Sequence, residues 1–201
     1  MIGLDYSKVI DPWLKGLRIS VVGFSKIKAG DRVLDVCCGT GDQVFYYAKK
    51  GAITYGIDLD SNMIKIAERN KKKLGADNVF FQVADASNLP FEDNFFDCVS
   101  ISLGLHEKEN KTRDKIVSEI RRVVKEGGSL IFIDFRVPQI KRLYFYFINM
   151  IESFAGREHY QFFKDYINQG GLKKILEKNQ FNIEEKIYVK GGILEIIKSI
   201  K

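Results

Sequence analysis

Residues 33–43, Val-Leu-Asp-Val-Cys-Cys-Gly-Thr-Gly-Asp-Gln, constrain this chain more than any other stretch. The apolar run Val33, Leu34, Val36 reads as a buried strand that stops at a Gly39-x-Gly41 turn. Asp42 then stands where a helix cap belongs, ahead of the apolar positions Val44, Phe45 and Ala48. A strand that ends at glycines and opens a helix points free backbone N–H groups and a positive dipole end at one place. In a parallel sheet that place is the crevice beyond the carboxyl ends of the strands, where nucleotide-like ligands sit.

The rest of the chain alternates in the same way. Residues 4–26 carry apolar positions at helical spacing (Val9, Ile10, Trp13, Leu14, Leu17, Val21, Val22), which predicts one or two leading helices within 1–28. Ile53 to Ile57 is a second strand ending in Asp58, and Ser61 caps a helix running to about Leu74. Val79 to Ala84 is a third strand ending in Asp85, and Phe95 to Leu103 a fourth. A helix follows through Val124, Gly127-Gly128 breaks it, and Leu130 to Phe135 forms a fifth strand. Such alternation implies right-handed crossovers and a parallel sheet with helices on both faces. The tail differs: Phe181 to Val189 and Ile193 to Ile200, joined by a tight turn at Gly191-Gly192, predict an antiparallel edge. No linker or repeat divides the 201 residues, so one domain is expected.

Composition narrows the setting. No apolar run reaches the roughly 18 residues that span a bilayer, and no secretory leader opens the chain, so a cytoplasmic protein is expected. The three cysteines, Cys37, Cys38 and Cys98, lack a C-x-x-C spacing and read as small buried thiols, so no metal is expected. The net charge of +6 arises mainly from helix-face cations such as Lys65, Arg69, Lys71, Lys72 and Lys73. That reads as a solvated face rather than a nucleic-acid surface, although an anionic lipid surface feels the same field and peripheral membrane contact stays open. Residues 138–168 form an insertion dense in aromatics, from Leu143–Ile148 and Ile151 to Phe154, Tyr160, Phe162, Phe163 and Tyr166. It packs the core or roofs the site with an apolar wall suited to a hydrophobic ring. The oligomeric state is left open.

The spacing of the glycines selects among ligands. A dinucleotide fingerprint needs a third glycine, where Val44 stands, and the lysine of a phosphate-cradling loop is missing. Asp35 within the turn region repels a pyrophosphate but attracts a cationic amino or sulfonium group, which favours S-adenosylmethionine. Residues at the ends of successive strands converge on one rim. Asp35, Gly39 and Gly41 come from the first, and Asp58, placed to accept from a ribose diol, from the second. Asp85-Ala86, able to accept from an adenine amino group, comes from the third, and Ser102-Leu103-Gly104 from the fourth. His106 follows at the expected crevice mouth, where its ordinary pKa suits it to proton removal; His159 and Tyr160 on the insertion are weaker candidates.

Four segments, VLDVCCGTGD, GIDLDSNMI, VADASNLPFEDNFFDCVSISLGL and RRVVKEGGSLIFIDF, together resemble the class I S-adenosylmethionine-dependent methyltransferases. Within them the chain is most similar to the ubiquinone/menaquinone biosynthesis C-methyltransferase branch, strongly over residues 30–136. The resemblance implies a Rossmann-like, three-layer α/β/α fold with a doubly wound seven-stranded sheet, order 3-2-1-4-5-7-6, strand 7 antiparallel. It also implies that Asp35, Cys37, Gly39, Thr40 and Gly41 hold the methionine end of the cofactor. Asp58 takes the ribose with Leu59 and Met63 beside it, Asp85-Ala86 takes the adenine, and Ser102 is a further contact. Two positions depart from the pattern: Cys37 stands where glycine is frequent, and Gly104-Leu105-His106-Glu107 replaces a common Gly-Leu-Arg-Asn. The expected activity is C- or O-methylation of a small apolar aromatic or quinone-type acceptor. The rivals are N-methylation of a phospholipid or other small amine, and cofactor binding without catalysis. The Ser102–Leu105 segment bears no Asn-Pro-Pro-Tyr-like element, so a nucleic-acid substrate is not expected.

Overall fold

A computed structural model describes residues 6–137 and 157–201, with side chains from Leu14 to Val137 and from His159 onward. The aromatic cluster at 143–151, Phe154, and the side chains of Val9, Ile10 and Trp13 lie outside the described residues. Seven strands, β1 (Arg32–Val36), β2 (Ile53–Asp58), β3 (Val79–Val83), β4 (Phe96–Ser102), β5 (Val124–Phe135), β6 (Ile183–Val189) and β7 (Leu194–Ile200), form one sheet in the order 3-2-1-4-5-7-6. The first five run parallel, and β7 is antiparallel to both β5 and β6, as the glycine turn and the resemblance both implied. Helices α1 (Tyr6–Ser25), α2 (Asp42–Ala48), α3 (Ser61–Leu74), α4 (Asn110–Val123), α5 (Arg157–Asn168) and α6 (Gly171–Lys178) flank it.

Strand alternation distributes the core. Leu34 and Val36 of β1 pack with Val99 and Ile101 of β4 under Ile116, Val117 and Ile120 of α4 and Leu172 of α6. The opposite face joins Val33, Cys98, Ile131 and Ile133 to Leu17, Val21 and Val22 of α1 and Tyr47 of α2. Asp35 lies opposite Ser100 in the β1–β4 register, and the two side chains bond to each other. A buried polar pair thus sits in an otherwise apolar sheet.

The leading segment forms one continuous helix, α1, within the one or two expected. Local readings differ from the structure at two points. The cap of α3 is Asp60, whose side chain accepts from the Asn62 N–H at 2.7 Å, and Ser61 is the first helical residue. Gly127-Gly128 does not separate α4 from β5. The strand already begins at Val124, and pairing jumps from Phe96↔Val124 to Cys98↔Ser129 across a bulge that holds both glycines. A Cβ on Gly128 would stand 2.9 Å from the Lys125 carbonyl and 3.0 Å from that of Asp97, so the bulge closes only with glycine there.

Candidate active site

At the carboxyl ends of β1, β2 and β4 lies a cavity of about 520 Å³, within the range of small-molecule sites. Of the residues singled out from sequence, Asp35, Cys37, Gly39, Thr40, Asp58, Met63 and Ser102 line it. Leu59 is largely exposed and Ala86 buried, and neither lines the cavity. Asp85 is exposed and accepts from the Ser87 N–H at 2.8 Å. Gly41 stands behind the turn, at the N-cap of α2 with φ 83°, where a Cβ would run into the Phe81 ring.

The turn differs in detail from the capped helix expected. Asp42 is the first residue of α2, not its cap; it accepts from Thr40 Oγ1 at 3.1 Å and pairs with Arg18 of α1 at 3.2 Å. Nor are the glycine amides free. The Gly39 N–H donates to Asp58 Oδ2 at 2.8 Å, and the Gly41 N–H to the Cys38 carbonyl at 3.0 Å. Asp58 therefore ties the end of β2 to the turn after β1. Its other oxygen accepts from the Asp60 N–H at 3.0 Å, and each oxygen keeps a further acceptor site.

Cys37, where glycine is frequent, holds the left-handed conformation, φ 58°. A side chain in that region is strained by about 1–2 kcal/mol. Space for it comes from Gly104 after β4, since a Cβ there would stand 3.1 Å from both Cβ and Sγ of Cys37. Burial pushes the Cys37 thiol up to about 12, so it stays neutral.

Asp35 is the perturbed carboxyl of the site. Burial pushes its carboxyl up to about 7, against the opposing hydrogen bond from Ser100 Oγ at 2.6 Å and the nearby Arg18 charge, with Asp58 pushing upward too. An anion held out of water in this way favours a cationic ligand group.

The remaining lining was foreseen from sequence in part: Leu103 and Gly104 were expected at the end of β4, Leu14, Leu17 and Glu107 were not. Leu14 and Leu17 come from α1, and Leu103, Gly104 and Glu107 from the segment after β4. His106 does not line the cavity. It is buried, with Nδ1 2.7 Å from Asp134 Oδ1 and its ring edge-on to Phe135 and Phe163. Asp134 also accepts from the backbone N–H groups of Leu105, His106 and Phe135 at 3.2, 3.1 and 2.8 Å, which turns the imidazole inward rather than to the crevice mouth. The same segment presents Glu107, bonded to Lys108 Nζ at 2.7 Å and to His159 Nε2 of α5 at 3.1 Å. Arg113, fully buried, fastens α5 by donating to the Leu105 carbonyl, the Phe162 carbonyl and Asp165. A lone acid ending the apolar run Ile131–Ile133 was the one sequence signal for Asp134.

Comparison with known proteins decides among chemistries that this fold can host. The family model of the ubiE/COQ5 methyltransferases matches residues 13–201. The chain belongs to the ubiE/COQ5 methyltransferase family. A demethylmenaquinone methyltransferase of Staphylococcus haemolyticus is 33% identical over 175 residues, covering 78% of this chain and 70% of that enzyme. A ubiquinone/menaquinone biosynthesis C-methyltransferase of Psychromonas ingrahamii is 31% identical over 198 residues, covering 90% and 78%. Among solved structures, a SAM-dependent methyltransferase from Aquifex aeolicus superposes with a TM-score of 0.72 at 22% identity, covering 98% of each chain. The [4+2]-cyclase SpnF also superposes with a TM-score of 0.72, at 20% identity over 92% of this chain and 80% of that one. Shape alone therefore does not specify methyl transfer; family membership does. The protein is an S-adenosylmethionine-dependent methyltransferase.

The residues present fit that cofactor. A carboxylate with spare acceptor capacity for a diol (Asp58), a buried anion for a cationic group (Asp35) and a glycine turn that keeps the approach clear share one cavity. No group of three or more potential metal ligands occurs among the described residues, and no described helix is long and apolar enough to cross a membrane.

Proposed function

We propose that this chain methylates a ring carbon of a lipophilic, hydroxylated quinone-type acceptor. The observation that carries this reading is a single cavity lined by acids and apolar side chains together, in a member of the ubiE/COQ5 family. Asp35 and Asp58 supply the acids, and Leu14, Leu17 and Leu103 the apolar surface. The relatives named for demethylmenaquinone and ubiquinone/menaquinone methylation support an acceptor of that class.

In this reading Asp58 accepts from the ribose hydroxyls, with Leu59 and Met63 flanking the nucleoside and Asp85-Ala86 at the adenine. Asp35 faces the cationic methionine end, while Cys37, Gly39, Thr40, Gly41 and Ser102 shape its seat. S-adenosylmethionine, when bound, supplies the electrophilic methyl group. The protein aligns the attacking carbon with it and excludes water between them. Methylation of an aromatic carbon also requires loss of the ring proton. In this reading His106 acts on the reaction indirectly: its ring, held through Nδ1 by Asp134, positions the segment that brings Gly104 and Glu107 to the cavity.

The test uses methyl-labelled S-adenosylmethionine with a 2-polyprenyl-1,4-naphthohydroquinone, a phenol and an amine-headgroup phospholipid in parallel, with products identified by mass spectrometry. Label on the naphthohydroquinone ring carbon is expected. Label on oxygen, or in the phospholipid fraction, would overturn the reading. His106→Ala is expected to lower kcat by displacing that segment, with S-adenosylhomocysteine affinity unchanged; full turnover in that variant removes His106 from the assignment.

A further inference from the structure

Eight large apolar side chains stand exposed among the described residues, and five of them come from one corner: Leu59 and Met63, already assigned to the nucleoside, and Leu74, Phe80 and Val83, which have no part in the active-site cavity. That corner is the loop after β2, helix α3 and the edge strand β3. Elsewhere such residues occur singly (Ile19, Ile53, Tyr188), as on any soluble surface. The same corner concentrates charge. Helix α3 carries Lys65, Arg69, Lys71, Lys72 and Lys73 against one acid, Glu68, a net +4 (five minus one) in a chain of net +6.

None of the five cations enters an ion pair among the described residues, and Lys71 lies over the Phe80 ring, 5.3 Å from its centroid. On α6, by contrast, Lys173 and Lys174 pair with Glu177, and Lys178 pairs with Asp114. The last-turn lysines of α3 suit the negative end of its dipole. Lys65 and Arg69 have no such reason: they stand four residues apart in the helix body, where like charges repel. Between α3 and β3 a second cavity, about 410 Å³, has Ile64 and Val83 on its walls together with Lys65, Arg69, Lys72 and Glu68.

Exposed apolar groups interleaved with unpaired cations along a sheet edge match the surface of an anionic bilayer, which offers phosphates to the cations and acyl chains to the apolar groups. A nucleic acid would satisfy the cations and leave Leu74 and Val83 in water. We propose that the α3/β3 edge docks on anionic phospholipid membranes, with Lys65, Arg69 and Lys72 against headgroup phosphates and Val83 and Leu74 at the acyl boundary. This surface is independent of which acceptor the active site methylates.

The test is co-sedimentation of the full chain with phosphatidylglycerol/phosphatidylcholine vesicles and with phosphatidylcholine vesicles, at low and raised salt. Wild type is expected to pellet with the anionic vesicles alone and to be released by salt. A basic residue near such a surface strengthens binding about fivefold, so Lys65→Gln/Arg69→Gln/Lys72→Gln should weaken it on the order of a hundredfold. Lys173→Gln/Lys174→Gln/Lys178→Gln removes the same charge from α6 and should change it no more than about twofold if the site is local. Leu74→Ser should weaken binding that persists at raised salt. Equal losses in the two triple variants, full binding by the α3 variant, or an α3 variant that loses single-stranded RNA binding instead of vesicle binding would each overturn the proposal. S-adenosylhomocysteine titration reports the fold of every variant. Should the α3 triple not fold, Lys72→Gln alone, expected to lose about fivefold, decides the matter. Because the assay contains no methyl acceptor, its failure leaves the methyltransferase reading untouched, and the reverse also holds.

Discussion

Removing the charge of Asp35 is expected to stabilise the ligand-free protein while disabling it. The carboxyl is raised from its ordinary 3.8 to about 7 because its burial outweighs the hydrogen bond from Ser100 Oγ and the Arg18 charge, both of which pull it down. Between those two values the folded chain binds a proton that the unfolded chain does not. The stabilising contribution of Asp35 is therefore complete below about pH 4 and is lost as pH rises through 7. By pH 8 the folded protein holds a buried carboxylate at a cost of about 4 kcal/mol relative to the unfolded chain. Asp35→Asn removes the charge and keeps an acceptor for Ser100. Its gain over wild type should be near zero at pH 4 and about 2–4 kcal/mol at pH 8. For a chain of this size that is roughly 2–4 °C in Tm per kcal/mol. Glu195 on β7, also pushed up to about 7 by burial, adds a slope of the same sign to both proteins, so the difference between them isolates Asp35.

Urea denaturation at pH 5, 6.5 and 8 measures the gain. Calorimetric titration with S-adenosylmethionine in buffers of different ionisation enthalpy measures the linked proton. A cationic ligand pulls the Asp35 titration down, so wild type should release up to one proton near pH 6 and bind progressively more weakly below pH 7. Asp35→Asn should release none and bind weakly throughout. A stability gain independent of pH, or an Asp35→Asn protein that binds S-adenosylmethionine like wild type at pH 8, would refute the reasoning.

Two further outcomes follow from the same geometry. Asp58→Ala should weaken S-adenosylhomocysteine binding by roughly 2–4 kcal/mol by calorimetry, since it removes a charged acceptor and also unties the Gly39 N–H from β2; unchanged affinity would detach Asp58 from the site. Gly41→Ala should destabilise the fold by roughly 2–4 kcal/mol, from a left-handed backbone and a clash with the Phe81 ring. Phe81→Leu in that background should recover part of the loss in a chemical denaturation series, and no recovery would show that the backbone conformation alone sets the effect.

The sheet was legible because its signals are local. Each of the first four strands is a short, mostly apolar run that reaches glycine or an acid within three residues of its end, each helix has its own spacing, and the Gly191-Gly192 turn reverses the chain by itself. What failed to read were places where tertiary pairing overrides a local rule. Gly127-Gly128 looks like a helix breaker but serves a bulge within β5, because Val124 already pairs with Phe96. The cap of α3 shifted by one residue because Asp60, one position earlier, presents its carboxylate to the Asn62 N–H.

The candidate site divides along the same line, and the hydrogen bonds taken up by each buried acid explain the division. A carboxylate has about four acceptor positions. Asp134 accepts four bonds, from His106 Nδ1 and the N–H groups of Leu105, His106 and Phe135, so its capacity is filled by the protein. Asp58 accepts two backbone N–H bonds, and Asp35 accepts one, from Ser100. Acids that terminate strands beside the glycine turn were visible in sequence, and they are the ones left able to receive a ligand. Asp134 terminates a strand too, yet its partners lie 28 and 29 residues away on the segment after β4, at a separation no motif records. Asp134 therefore sets the position of that segment, and through it which of its residues, Gly104 and Glu107 rather than His106, line the cavity.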